Sequence, residues 1–341
     1  MKKPQKSPAP ATKSGLKMQK NTPEIIAVEL AAPAIAAKPS NPTAGTLSAL
    51  ANGYMAASQS SATVAAYALD EKMFRAAGGT IPSSPTQIVE FLAAFAGKLA
   101  VATLERRLTG IHRAHLDRGL VSPVHDPLVK KTMAGIKRTF GVRQRQVRPI
   151  LKDDLLAMMV MSDRQKPKKA ARDKALLLVG FAGAFRRSEL VDIECQHVTE
   201  HDNGIEILLV RSKTDQSGAG RTVFIPHANG DRCPVLALRE WLKISEIETG
   251  HVFRSVDRHD RIANAPLTAQ SVALIIKNAI GKVGGPEADV SGHSMRAGYC
   301  TQAAIAGLQP FQIREQTGHT SDATLARYIR PVAKRKIPSL L

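Results

Sequence analysis

Four residues near the C-terminal end have the side chains needed to attack a phosphodiester bond. His293 and Arg296 are three positions apart, His319 follows Gly318, and Tyr328 comes nine positions after His319. An arginine can hold two phosphate oxygens at once, and a histidine can donate a hydrogen bond to phosphate or carry a proton. A tyrosine hydroxyl can act as a nucleophile that stores the reaction as a covalent ester.

Two upstream segments complete a set with the same chemistry. Arg186 begins the run RRSEL, in which Glu189 follows three positions later, and Lys213 lies in the run RSKT. Taken in order with H-x-x-R, G-H and the tyrosine, these segments resemble the tyrosine recombinases of the phage integrase family. Each piece alone is common in unrelated proteins, whereas five pieces in this order and spacing are specific.

The resemblance implies a metal-free and ATP-free strand transfer on DNA. Its two arginines would hold the non-bridging oxygens, His319 would add a hydrogen bond there, and His293 would handle the proton of the nucleophile. The lysine would protonate the departing 5′ oxygen, which leaves a 3′-phosphotyrosine. The residues at the matching positions are Tyr328 as nucleophile, Arg186, Lys213, His293, Arg296 and His319, with Glu189 in a supporting position.

Two neighbouring cations leave the assignment open. Many family members have an apolar residue where this chain has Arg187, so either Arg186 or Arg187 could enter the site. Counting along R-x-S-E-L favours Arg186. In the same way Arg211 flanks the strand end close to Lys213, and the two could be mistaken for one another.

Composition points to a polyanionic partner. The 341 residues include 48 lysines and arginines against 29 acidic residues, a formal charge of +19. Such a balance is typical of nucleic-acid binding, although acidic membranes also attract basic chains. Aromatic residues make up only 4%, which argues against base stacking on single strands and favours phosphate contacts along a duplex.

Other classes of site and location find little support in the sequence. The cysteines at 195, 233 and 300 form no C-x-x-C pair, so we expect reduced thiols, no metal site and no cofactor. No glycine-rich loop precedes a Lys-Ser or Lys-Thr pair, which excludes a P-loop. The longest apolar run, 175–185, is too short for a bilayer, and no signal peptide is recognisable. We expect a cytoplasmic, nucleoid-associated protein encoded by a bacterium or a phage.

Composition shifts along the chain predict four segments. Residues 1–44 are rich in Lys, Pro, Ala and Ser and are expected to form a disordered basic arm, either solubilising or in contact with DNA. Residues 45–140 have helical periodicity and resemble the core-binding domain of the Cre and XerC/XerD type. Residues 141–150 form a basic linker, and residues 151–341 the catalytic domain. The expected fold is mainly α, with a small antiparallel β-hairpin in an α+β catalytic domain.

The predicted elements would position Arg186 and Lys213, and they would also carry the basic residues expected to contact DNA. An apolar helix over 172–185 would bring Arg186 to its C-terminal end, and strands near 204–210 and 222–225 would form a hairpin with Lys213 at its tip. Basic residues on helices, linker and hairpin would contact DNA phosphates or simply face solvent. These residues are Arg106, Arg107, Arg113, Lys130, Lys131, Lys137, Arg138, Arg143, Arg145, Arg148 and Arg211.

The expected function is therefore site-specific recombination of duplex DNA. A type IB-like topoisomerase shares the chemistry, and a DNA-binding regulator without catalysis is a third alternative. Recombination requires four strand cuts, so we expect a homotetramer on two DNA sites, a monomer or weak oligomer when free, and a possible accessory protein. The apolar tail at 337–341 is either a docking segment for a neighbour or a frayed terminus.

Overall fold

The computed structural model describes residues 48–142, 146–210 and 220–335. The chain divides into two compact units, Met1–Val142 and Arg143–Leu341. Each unit has its own buried apolar core. Within the described residues, no helix has both the length and the apolar character needed to cross a membrane.

The N-terminal unit is helical in its described part, as the sequence predicts. Polar side chains cap the start of four of its five α-helices: Ser84 and Gln87, for example, bond reciprocally to each other's backbone N–H at the start of the third helix. One face of each of the last four helices supplies the core, where Phe74 meets Phe91 edge to face at 5.2 Å. The helices are α1 (Ala49–Ala57), α2 (Ser61–Ala76), α3 (Pro85–Phe95), α4 (Val101–Leu116) and α5 (Pro127–Phe140).

Arg107 is buried, which corrects the prediction that it faces outward for DNA. Only 9% of the residue is exposed, and its guanidinium lies 5.9 Å from the ring centroid of Phe91 and 5.2 Å from that of Phe95. The helical spacing of α4 places Arg107 next to Leu104 and Leu108 on the inward face. A cation over aromatic rings is stabilised there, so Arg107 belongs to the core of the unit.

The C-terminal unit combines eight helices and five strands in its described part. The largest core of the molecule lies here, around Trp241, Phe185 and Phe253. The helices are α6 (Lys152–Ser162), α7 (Pro167–Ala182), α8 (Arg187–Val191), α9 (Pro234–Ser245), α10 (Ala269–Lys282), α11 (Ser294–Ile305), α12 (Pro310–Thr317) and α13 (Asp322–Arg335). The strands are β1 (Val198–His201), β2 (Gly204–Leu209), β3 (Arg221–Pro226), β4 (Arg254–Val256) and β5 (Ile262–Pro266).

Both sheets of this unit are small and antiparallel. The first has the order β1-β2-β3, and the second pairs β4 with β5. Strands β2 and β3 form the predicted pair, with Leu209 opposite Arg221. The mainly helical class with a small antiparallel sheet is thereby confirmed, while β1, β4 and β5 were not predicted because each is short and lacks a clear alternation of apolar residues.

Two boundaries differ from the sequence-based prediction. Helix α7 ends at Ala182 rather than at residue 185, because the chain turns at Ala184, which has a φ of 49°. At the predicted linker, the backbone N–H of Arg148 donates to Asp289 and that of Ile150 to Ser294, and Ile150 is fully buried. The last residues of the predicted linker are therefore part of the C-terminal unit.

Candidate active site

The turn after α7 places Arg186 beside Glu189. Phe185 is 1% exposed and anchors the turn in the core. Arg186 then precedes α8, and its backbone N–H donates to Glu189 Oε2 at 2.8 Å while its Nη1 donates to Glu189 Oε1. The buried carboxylate thus accepts from the N–H of the residue that caps the helix and orients the guanidinium of that residue at the same time.

Arg296 reaches the same turn from α11. It is 3% exposed, and its Nη1 donates to the carbonyl of Ala184 at 2.7 Å. Its Nη2 is buried and has no hydrogen-bond partner among the described residues. Burial, followed by the nearby charge of Arg186, lowers the pKa of Arg296 to about 10. A buried guanidinium with a spare donor is a favourable place for an anionic oxygen.

His319 and Tyr328 meet beside α11. Gly318, in the left-handed conformation with φ 63°, ends α12 and lets the chain turn. The ring centroids of His319 and Tyr328 are 5.8 Å apart. Tyr328 lies on α13 and packs, partly buried, on the small core formed with Cys300. Burial and then the charge of Arg296 lower the pKa of His319 to about 4, so the ring is neutral at pH 7.

His293 and Arg187 border the site in a different environment. His293 is the N-cap of α11 and is exposed, whereas Arg296, three positions later, is buried. The side chain of Arg187 lies against Gly292, where a Cβ would come within 1.7 Å of the Arg187 Cδ. Arg187 therefore packs beside the His293 turn, while Arg186 holds Glu189.

Arg221 is a member of this cluster that the sequence analysis missed. Its Nη1 donates to the carbonyl of Gln316 at 3.0 Å, and its Nη2 lies 3.6 Å from Glu189 Oε2. The guanidinium also packs on Gly318, where a Cβ would meet its Nε at 2.8 Å. An arginine that begins a β-strand has no distinctive motif. The one indication in the sequence is its place at the start of the second strand of the predicted hairpin, after Lys213.

The cluster has an excess of positive charge. Glu189 is the carboxylate that faces the guanidinium groups of Arg186 and Arg221, and the nearby Arg296 adds a third. Three cations and one anion leave two positive charges in a largely buried place. An anion such as phosphate would balance this charge, and the spare donors on Arg296 could hold its oxygens.

Several predicted residues are elsewhere or outside the described residues. Lys213, Arg211, Arg143 and Arg145 lie outside them. In the N-terminal unit, Lys130, Lys131 and Arg138 are exposed on α5. The other predicted contacts are engaged in ion pairs, which are Arg106 with Asp70, Arg113 with Asp117, Lys137 with Glu105 and Arg148 with Asp154. No group of three or more metal-ligating side chains occurs in the part of the chain that the structure describes.

Comparison with known proteins places the chain in a family. The model of the phage integrase family matches residues 149–335, which covers every described element of the C-terminal unit. A relative from Selenomonas ruminantium, called an integrase/recombinase xerD homolog, is 38% identical over 253 residues, which are 73% of this chain and 74% of that relative.

Solved structures share the fold at low sequence identity. The Tn1549 transposon integrase in complex with transposon right end DNA has a TM-score of 0.57 at 13% identity, covering 84% of this chain and 97% of that one. A lambda integrase dimer bound to a COC′ core site has a TM-score of 0.57 at 14% identity, over 85% and 78% of the two chains. XerH bound to difH substrate in a post-cleavage complex has a TM-score of 0.55 at 18% identity, over 74% and 70%. With the family model matching more than half of its length, the chain belongs to the phage integrase family and is a tyrosine-type site-specific recombinase.

Proposed function

We propose that this recombinase cuts and rejoins duplex DNA at a specific site through a 3′-phosphotyrosine on Tyr328. One observation carries the assignment of the residues: among the described residues, three guanidinium groups with a single facing carboxylate lie next to a neutral histidine that contacts a tyrosine ring. A phosphodiester supplies the missing negative charge, and the tyrosine supplies the nucleophile.

The arginines would act on the phosphate oxygens that do not leave. Arg186 and Arg296 hold the two non-bridging oxygens, and the spare Nη2 of Arg296 is one of the donors. Negative charge on these oxygens grows as the fifth bond to phosphorus forms. Donors that are already oriented stabilise the transition state more than the substrate, which accelerates the step. Glu189 keeps Arg186 in place through two hydrogen bonds.

The attacking oxygen and the departing oxygen both need proton transfers. The hydroxyl of Tyr328 loses a proton as it attacks phosphorus, and the departing 5′ oxygen of the DNA gains one from Lys213. A histidine of the cluster takes the first proton, with His293 and His319 as the candidates. The phosphoester energy is stored in the enzyme–DNA bond, so a second DNA end can reverse the step without ATP.

Relatives with solved complexes indicate the kind of DNA. The lambda integrase structure holds a core site, and the Tn1549 integrase structure holds a transposon end. For this chain we propose a duplex recombination site, with a homotetramer on two sites, a monomer or weak oligomer when free, and an accessory protein in some reactions. Its proposed place is the cytoplasm, on the nucleoid.

Basic surfaces would hold the duplex outside the site. Lys130, Lys131 and Arg138 on α5 are exposed and available for phosphate contacts. Arg106, Arg113, Lys137 and Arg148 already have acidic partners within the protein, so any contact they make with DNA is shared with those carboxylates. The roles of Arg143, Arg145 and Arg211 remain predictions.

A plasmid assay separates the three candidate functions. One supercoiled plasmid carries two copies of the DNA that flanks the coding sequence, and a matched plasmid carries none. Recombinant circles from the first plasmid alone support the proposed function. Relaxation of both plasmids at equal rates would indicate a topoisomerase, and binding without any product would indicate a regulator.

We expect Arg221→Met to slow covalent adduct formation by about 10-fold, or ~1.4 kcal/mol in activation free energy. The variant loses the cation that links Glu189 on α8 to the backbone of Gln316 on α12. These two helices of the site are then no longer connected through this side chain. The rate is read from single-turnover cleavage of a nicked duplex. Arg239→Met serves as the control, because it breaks an exposed ion pair with Glu200 on the same unit. Equal rates for the two variants would exclude a role for Arg221.

A further inference from the structure

Arg187 directly follows Arg186, yet the two side chains lie in different surroundings. Arg186 caps α8 and donates to the buried carboxylate of Glu189. Arg187 is the first residue of α8, and its side chain instead lies across Gly292, just before His293 and α11. The proposed reaction uses the first arginine and leaves the second one, which is partly buried, without a role.

Gly292 provides the space that the side chain of Arg187 occupies. A Cβ at this buried glycine would come within 1.7 Å of Cδ, 2.3 Å of Cγ and 2.6 Å of Nε of Arg187. These distances are too short for non-bonded atoms, so a larger residue at position 292 would displace the arginine. The aliphatic part of Arg187 is therefore already confined against backbone, and less side-chain entropy is lost when the guanidinium binds a ligand.

The charge of Arg187 has no acidic partner among the residues that the structure describes. The carboxylate two residues later, that of Glu189, faces the guanidinium groups of Arg186 and Arg221 instead. A partly buried cation without a counter-charge is unfavourable, because part of its hydration is lost and nothing replaces it. An anionic ligand would remove that cost.

We propose that Arg187 is a substrate-positioning residue that binds a second phosphate of the cleaved DNA strand, next to the scissile phosphate. The inference rests on the proposed function, because it takes the scissile phosphate to be held by Arg186 and Arg296. Arg296 reaches the turn that precedes Arg186, whereas Arg187 lies against the turn that precedes α11. A DNA strand has one phosphate for each nucleotide, so a guanidinium at the border of the site can bind the next phosphate along.

A guanidinium suits this ligand and this task. Its donors lie in one plane and match two oxygens of a phosphate, and it stays charged at any physiological pH. Contacts with phosphates fix the register of a duplex on a protein without reading its bases. Arg187 would thus keep the scissile bond in register with Tyr328, and its effect should appear in DNA binding rather than in the chemical step.

Neutral phosphates can locate the contact. Binding is measured with Tyr328→Phe protein on duplexes in which one phosphate at a time is replaced by an uncharged methylphosphonate, and the wild-type adduct gives the cleavage position. One replacement next to the scissile phosphate should weaken binding by ~10-fold, the usual effect of losing a hydrogen bond between charged groups. The same replacement should have almost no effect once Arg187→Met is added, because the partner is already absent.

Three further variants separate a direct contact from a change in fold. Arg187→Lys keeps the charge and should retain a methylphosphonate effect at the same position. Gly292→Ala should weaken binding as Arg187→Met does, and the two losses should not add, because the new Cβ displaces the arginine. Arg239→Met removes an exposed cation of the same unit that is paired with Glu200, so the full effect should remain. Thermal unfolding shows that each variant is folded.

The salt dependence of binding gives a second, independent measurement. Loss of one phosphate contact lowers the slope of log affinity against log salt concentration by about one. Arg187→Met should show this change, and Arg187→Lys should not.

Two results would overturn the inference. One is an unchanged affinity and an unchanged salt slope in a folded Arg187→Met. The other is a methylphosphonate loss that is the same with and without Arg187 at every phosphate tested. If the wild type forms no adduct on any duplex, the proposed function fails, and the salt slope of Arg187→Met on the same duplex still decides whether Arg187 binds a phosphate.

Discussion

Tyr328→Phe is expected to bind its DNA site with near-normal affinity and to form no covalent adduct. The substitution removes one hydroxyl and keeps the ring that packs on the core around Cys300 and against His319. Without that oxygen there is no nucleophile, so the loss should be complete rather than partial. Gel shifts measure binding, and denaturing gels with a nicked duplex measure the adduct.

Tyr299→Phe provides the matched control. Tyr299 is in the same unit on α11, where its ring contacts Phe181, and it is outside the arginine cluster. Its variant should form the adduct at the wild-type rate. An adduct that persists in Tyr328→Phe, or disappears in Tyr299→Phe, would place the nucleophile elsewhere.

Lys213→Ala is expected to slow cleavage of an ordinary site by about 10²–10⁴-fold, the usual contribution of a positioned general acid. The 5′ oxygen would leave as a strongly basic alkoxide if no proton were supplied. Replacing that oxygen by sulfur makes the leaving group a thiolate, whose conjugate acid has a pKa of ~8.5 and which departs without help. The variant should then cleave the sulfur substrate nearly as fast as wild type.

Two other variants test whether the rescue is specific. Arg186→Ala should remain slow on the sulfur substrate, because its proposed contacts are with non-bridging oxygens. Arg211→Ala should be close to wild type on both substrates. If Arg211→Ala is slow on the ordinary site and sulfur rescues it instead of Lys213→Ala, Arg211 is the proton donor and the assignment of Lys213 is wrong.

Helices and strands could be predicted from the sequence where a regular spacing of apolar residues continues over many positions. The helices of the N-terminal unit and the pairing of β2 with β3 follow from apolar spacing and turn residues. The approximate place of Arg186 followed from its motif, although the structure puts it before α8 and not at the end of α7. Such motifs constrain residue order, whereas a one-residue turn such as that at Ala184 depends on tertiary packing.

Contacts made by three-dimensional packing could not be predicted. Arg107 looks like a surface charge in a basic run, and only the position of the α3 aromatics shows that it is buried. Arg221 joins the site because β3 begins beside Glu189 and Gln316, which are far from it in sequence. The Thr317 hydroxyl lies 2.6 Å from the carbonyl oxygen of Ile313 and 2.7 Å from Nδ1 of His319, contacts that no sequence spacing predicts.

The most direct test of the account is to identify the residue that carries the DNA. Wild-type protein is trapped on a nicked duplex, digested with protease and nuclease, and examined by mass spectrometry for a peptide bearing a nucleotide. The chain has four tyrosines, so the candidates are few. We predict a nucleotide linked through its 3′ phosphate to Tyr328. A nucleotide on Tyr299, Tyr54 or Tyr67, or a 5′ linkage on any residue, would contradict the account.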